Sequence, residues 1–227
     1  MNDKLQGRIV QPDKYGGAQN ITDIGFWCEK LQDVFGWKVA LDFTLAELQA
    51  IYQAGSQILS YVNGITGGKS TAWMNKYLGG TRFVHGEFPR THHSFVTGTT
   101  VRVTPAWQGG NWTHIVHELG HVYDDNSGGF FWAAIFGGGN ADRLQKAIGG
   151  HPAGVRFYNG TAGVPVAYRW PQGSYGNVAT AEYFAEVFMY SIYNPGQVPG
   201  PLDSKRQRYV VDILQGFIAT EASDLHL

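Results

Sequence analysis

Apolar residues recur at helical spacing in several separate stretches of this chain. Ile24, Trp27, Leu31 and Val34 line one face of a helix predicted over Ile21 to Phe35. A second helix opens at Thr44-Leu45-Ala46-Glu47, which reads as a capping box: hydroxyl and carboxylate each accept from a backbone N–H that the first turn leaves unpaired. Leu48, Ile51, Tyr52, Ile58, Leu59 and Val62 continue it, and Asn63-Gly64 is its expected stop. Arg82-Phe83-Val84 and Thr99 to Val103 carry the β-branched and aromatic side chains of strands. Asn111 is a fitting N-cap for a helix with Ile115, Val116, Leu119 and Val122 on its apolar face, ended by Asn126 and Gly128-Gly129. Residues 126–176 are punctuated by glycine. They hold a short helix near Asp142 to Ile148 and strand-like pieces at Val155 to Tyr158 and Val164 to Tyr168. A helix then runs from about Val178 to Tyr193, closed by Asn194-Pro195, and Asp203 to Ala219 reads as a last amphipathic helix.

These elements predict an α+β fold: a small twisted mixed sheet over the helix that follows Asn111, with further helices beneath. The strand at Thr99 to Val103 is expected at a cleft, where an extended peptide could add to it through backbone hydrogen bonds. At 227 residues one domain is the default. Residues 1–40 form an N-terminal arm and helix packed on a main domain spanning 41–227, with no internal repeat.

Composition narrows the function classes. A net charge of −1 without a basic stripe excludes nucleic acid as the expected partner, and no Lys/Arg cluster marks a membrane surface. The longest apolar run, Phe130 to Phe136, is far short of the roughly 18 residues a spanning helix needs. Met1 to Val10 is polar and does not read as a signal peptide. Cys28 stands alone, so no internal disulfide forms, and it is expected to be a small buried hydrophobe. The run Gly64 to Ser70 imitates a phosphate-binding loop, but Asn63 occupies the place of its first glycine and a helix precedes it.

The chemistry concentrates in His117-Glu118-Leu119-Gly120-His121, an H-E-x-x-H string inside a predicted helix. Random placement of this chain's His and Glu would produce such a string only about 0.01 times. Residues four apart share one helix face about 6 Å apart along the axis, so two imidazoles can grip one Zn²⁺. Glu118 lies about 100° around the helix, placed to take a proton from a water polarised by the metal rather than to be a ligand. Gly120 costs a helix interior roughly 1 kcal/mol against Ala, which points to a neighbour crossing close to that turn.

A catalytic zinc takes three protein ligands and keeps one position open. Continuation to a third histidine would need Gly at 124 and His at 127, where the chain has Asp124 and Ser127. His114 is on the same helix one turn earlier and reads as a helix-face histidine. Glu182 and Glu186, four apart on an otherwise apolar helix with no Lys or Arg between Arg169 and Lys205, need a metal or a hydrogen-bond donor. Glu182 is taken as the third ligand. Glu186, one turn on, would accept the free ring N–H of a ligating histidine, with Asp124 and Asp125 as the alternatives for that role.

Tyr175-Gly176 followed by Ala181-Glu182-Tyr183-Phe184-Ala185-Glu186 resembles the second motif of the anthrax lethal factor-like zinc metallopeptidases, which include the secreted Pro-Pro endopeptidases. Gly120 matches that family's H-E-x-G-H form, and Tyr175 stands seven residues before Glu182, as the family's tyrosine does. The stretch between His121 and Glu182 departs from the family in being long. The resemblance implies a zincin-like domain, one zinc on His117, His121 and Glu182, and Glu118 as base. It also implies Tyr175 facing the substrate carbonyl, with a peptide or protein as substrate and Pro-directed cleavage as one form of specificity. A secreted enzyme is implied, and a monomer is the expected state. The alternative is a zinc-binding module of the same fold without peptidase activity, a binding or toxin-like protein. A zinc hydrolase acting on a non-peptide amide is a third reading. The Trp107 to Trp112 segment is expected either beside the substrate groove or in the core.

Overall fold

A computed structural model describes residues 22–86, 94–104, 107, 111–128, 139–148, 156–158, 165–167, 176–193 and 204–225. Among them, helices and a small mixed sheet give an α+β architecture. The chain opens with α1 (Ile24–Phe35), capped by the Asp23 carboxylate and closed at Gly36, whose φ of 73° suits a residue without a Cβ. Strand β1 (Lys38–Val39) follows, then α2 (Leu45–Thr66) and α3 (Ser70–Tyr77). Strands β2 (Arg82–His85), β3 (Ser94–Thr97) and β4 (Thr100–Val103) complete the sheet. Helix α4 (Trp112–Gly128) carries the H-E-x-x-H string. Then come α5 (Asn140–Ile148), the antiparallel pair β5 (Arg156–Tyr158) and β6 (Pro165–Ala167), α6 (Gly176–Tyr193) and α7 (Ser204–Ser223).

The predicted capping box closes α2: Thr44 N donates to Glu47 Oε2 at 2.7 Å and Glu47 N to Thr44 Oγ1 at 3.3 Å. Asn63-Gly64 does not stop this helix. It continues to Thr66 and is capped by Gly67 at φ 61°. Gly64 is tolerated because a Cβ there would meet nothing within 4 Å, so the position has no packing to lose. The run Gly64 to Ser70 therefore joins two helices. The first helix begins at Ile24 rather than Ile21, because Asp23 caps it.

Sheet order is β1-β2-β4-β3, with β1, β2 and β4 parallel and β3 antiparallel on the edge. A two-residue turn with Gly98 at φ 57° joins β3 to β4. This corrects the expectation for Thr99 to Val103. That strand is bonded on both sides and cannot accept another; the edge on that flank is β3. Helix α4 packs against β3 and β4 above, α2 and α3 behind, and most extensively α6. Trp37, Trp73, Phe83, Tyr123, Phe184 and Phe188 fill the space between them. Trp37 also donates its Nε1–H to Leu78 O at 2.8 Å. Cys28 is half-buried rather than fully buried, against the rim of this core. Among the described residues no helix is long and apolar enough to cross a membrane.

Candidate metal centre

Helix α4 starts where its cap predicts, with Asn111 Oδ1 accepting from Thr113 N at 3.0 Å and Thr113 Oγ1 at 2.6 Å. Two turns on, the rings of His117 and His121 stand 5.0 Å apart and nearly perpendicular. Helix α6 runs antiparallel across this face, with Trp112 against Tyr193 at one end and His121 against Glu182 at the other. Gly120 makes the approach possible: a Cβ there would lie 2.9 Å from Ala185 Cα and 3.3 Å from Phe188 Cδ1. The crossing neighbour expected from that glycine is the Glu182 helix.

The crossing brings the predicted residues together. Glu182 Oε2 lies 3.2 Å from His117 Nε2 and Glu182 Oε1 lies 3.4 Å from His121 Nε2. One ligand atom from each of the three falls within 4.8 Å of the others, so His117, His121 and Glu182 form a group that could hold a metal ion. Behind it, Glu186 Oε1 is 3.3 Å from His117 Nδ1, and Glu186 is fully buried. His117 therefore faces a carboxylate at both ring nitrogens. His121 and Glu182 are half-buried, which leaves the group open to solvent on their side.

The two histidines and their carboxylates shift one another strongly. Burial works against a proton on His117, but hydrogen bonding and charge from Glu182 and Glu186 outweigh it and hold the ring well above its usual range. His121 is shifted the same way: burial opposes, while Glu182 and the nearby Glu118 charge favour the proton. Burial would raise Glu182, yet the two histidines together pull it well below the ordinary carboxylate range.

Glu118 is buried next to His117 and lies outside the three-residue group. Asp124 is engaged elsewhere: its Oδ1 accepts from Ala141 N at 2.7 Å, capping α5, and burial pushes its carboxyl up to about 6. Asp125 is shifted upward by burial, with His121 opposing. Glu186, rather than either aspartate, reaches a histidine ring nitrogen. His114 is buried on α4 outside the group, and His85 is held between Asp42 and Glu47, at 3.1 and 3.2 Å. Trp107 turns into the core and donates to Asn111 O at 3.2 Å, while Trp112 is half-buried against Tyr193. Tyr175, residues 1–21 and residues 108–110 lie outside the described residues. No family model matches the chain, and no curated protein or solved structure matches it.

Proposed function

We propose that this chain is a zinc-dependent endopeptidase with a zincin-like domain. The observation that carries the reading is one constellation. Two imidazoles one helical turn apart meet a carboxylate from a crossing helix, with a buried second carboxylate behind His117. Two histidines, one glutamate and an open side suit a catalytic zinc better than a closed structural site, which would use four protein ligands. Zinc bound there would polarise a scissile carbonyl and acidify the attacking water.

The chain's own residues do the rest. Glu186, whose Oε1 lies 3.3 Å from His117 Nδ1, would take that ring N–H and so fix the tautomer that leaves Nε2 for the metal. Glu118, one position along the helix from His117, takes the proton of the attacking water and returns it to the leaving amine. Tyr175, on the resemblance to the lethal factor-like family, donates its phenolic O–H to the oxyanion. The edge strand β3, packed on α4, offers backbone groups to an extended peptide.

Incubation of the purified chain with a peptide library, read by mass spectrometry with and without chelator, tests the proposal. Cleavage that disappears on chelation and returns with one equivalent of zinc is expected. Zinc binding without cleavage would instead favour the inactive module, and hydrolysis of simple amides alone would favour the non-peptide hydrolase.

A further inference from the structure

We infer that Tyr123 and Glu221 are positioning residues for the metal centre, anchoring the back of α4 so that its histidines meet Glu182. The inference rests on the metal reading above. Two ligands come from α4 and one from α6, so the ligand geometry is only as good as the register of those helices. Metal–ligand distances tolerate about 0.2 Å.

Tyr123 stands two residues past His121 and is completely buried. Its ring touches Phe184 and Phe188 of α6, at centroid distances of 5.6 and 5.5 Å. Those phenylalanines follow Glu182 and Glu186 by two residues each, so the ring packs on the turns that carry both carboxylates. On its other side lie Trp73 at 4.8 Å and Tyr77 at 5.7 Å, both from α3. Ring packing alone is weakly directional and would let the helices slide. The hydroxyl removes that freedom by donating to Glu221 Oε2 at 2.6 Å.

Glu221 is buried on α7, and its carboxylate ties three other helices together. Oε2 also accepts from Trp73 Nε1 at 3.3 Å, and Oε1 from Asn140 Nδ2 at 2.8 Å, with Arg143 Nη1 3.8 Å away. An apolar core needs no such group: a phenylalanine at 123 would fill the same space, and apolar replacements of buried charges are often neutral or stabilising. What the network adds is direction. It sets where α4 sits along its axis, on the face opposite the metal ligands.

The test is a Co²⁺ titration of the full chain, followed by visible absorption well below the unfolding temperature. Tyr123→Phe keeps the ring and removes one hydroxyl. Its dissociation constant should rise on the order of 10-fold, with an altered Co²⁺ spectrum and unchanged helix content. Glu221→Ala should lose at least as much, and Glu221→Gln, which keeps an acceptor oxygen, should recover part. The double variant Tyr123→Phe/Glu221→Ala should bind no more weakly than Glu221→Ala alone, since both act through one bond. If Glu221→Ala does not fold, Tyr123→Phe and Glu221→Gln still decide. Wild-type affinity and spectrum in Tyr123→Phe, or additive losses in the double variant, would overturn the inference. Wild-type Co²⁺ affinity in His121→Ala would overturn the metal reading itself, and this inference with it.

Discussion

Gly120→Ala adds one methyl group where α4 and α6 touch. The new carbon would sit 2.9 Å from Ala185 Cα, a backbone-attached atom that cannot rotate away. Carbon atoms rest about 3.5–4.0 Å apart, so the helices must separate by roughly 0.6–1 Å. Overpacking of this kind costs about 1–3 kcal/mol, and replacing a helical glycine by alanine returns about 1 kcal/mol. The net loss is about 1 kcal/mol, or roughly 2–4 °C in melting temperature for a domain of this size. The metal should feel more than the fold does, because the shift exceeds the tolerance of about 0.2 Å in ligand distance. Zinc affinity is expected to fall on the order of 10-fold or more. Gly64→Ala and Gly216→Ala are internal controls. Both glycines lie in helices where a Cβ meets nothing within 4 Å, so both substitutions should stabilise by about 0.5–1 kcal/mol. Thermal melts in chelator and zinc competition titrations on the three variants measure both quantities. A Gly120→Ala protein more stable than wild type with unchanged zinc affinity would refute the reasoning.

Other substitutions and conditions separate the roles of the remaining residues. Glu182→Ala should strip the metal, whereas Glu186→Ala should weaken it by roughly 10–100-fold; zinc analysis showing the reverse order would exchange the two assignments. Glu118→Ala should retain zinc and the fold while abolishing peptide cleavage, because that carboxylate moves a proton and does not coordinate. Tyr175→Phe should lower kcat on the order of 10²–10³-fold with KM and zinc content little changed, and an unchanged kcat would make Tyr175 a turn residue. In the metal-free chain the stability contributed by Glu182 and His117 together should have its optimum between pH 4.5 and 6.5, the ordinary values of the two groups. The Glu182 contribution is complete above 4.5 and is lost as pH falls through its depressed folded value. The His117 contribution is complete below 6.5 and is lost as pH rises through its elevated folded value. Zinc, which competes with those protons, should move the optimum upward; chelated protein whose melting temperature climbs steadily above pH 6.5 would contradict the charge assignment.

What was legible in the sequence was local or carried by a chemical misfit. The H-E-x-x-H spacing, the Asn111 cap and the Thr44/Glu47 box each depend on residues within one or two helical turns, and each appears in the structure. Glu182 and Glu186 were legible because acids on an apolar helix without a nearby cation need partners from elsewhere. Gly120 was legible because its helix cost needs a packing reason. Strand β1 is two residues long, too short for a periodic signal. Helix α3 starts at Ser70, its N-cap position Lys69 makes no side-chain cap, and it presents a single turn of apolar residues, so nothing in its sequence announces it. That β4 is an inner strand depends on β3 pairing beyond it, which the residues of β4 do not encode. Glu221 was missed because a glutamate on an amphipathic helix ordinarily faces water; its donors come from α3, α4 and α5.

His117 and Glu182 meet across 65 positions of the chain. For a flexible connection, the entropy lost on closing such a loop grows only logarithmically with its length, by about 0.6 kcal/mol for each doubling. The two halves of the centre can therefore drift far apart in sequence at little thermodynamic cost. The burden falls on kinetics instead, since contacts of large sequence separation form slowly and late. A divalent metal bound at that crossing would stabilise the folded chain by its preference for the assembled ligand set, since the unfolded chain holds no preformed site. Insertions between α4 and α6 are thus a far gentler change to this protein than one methyl group at position 120.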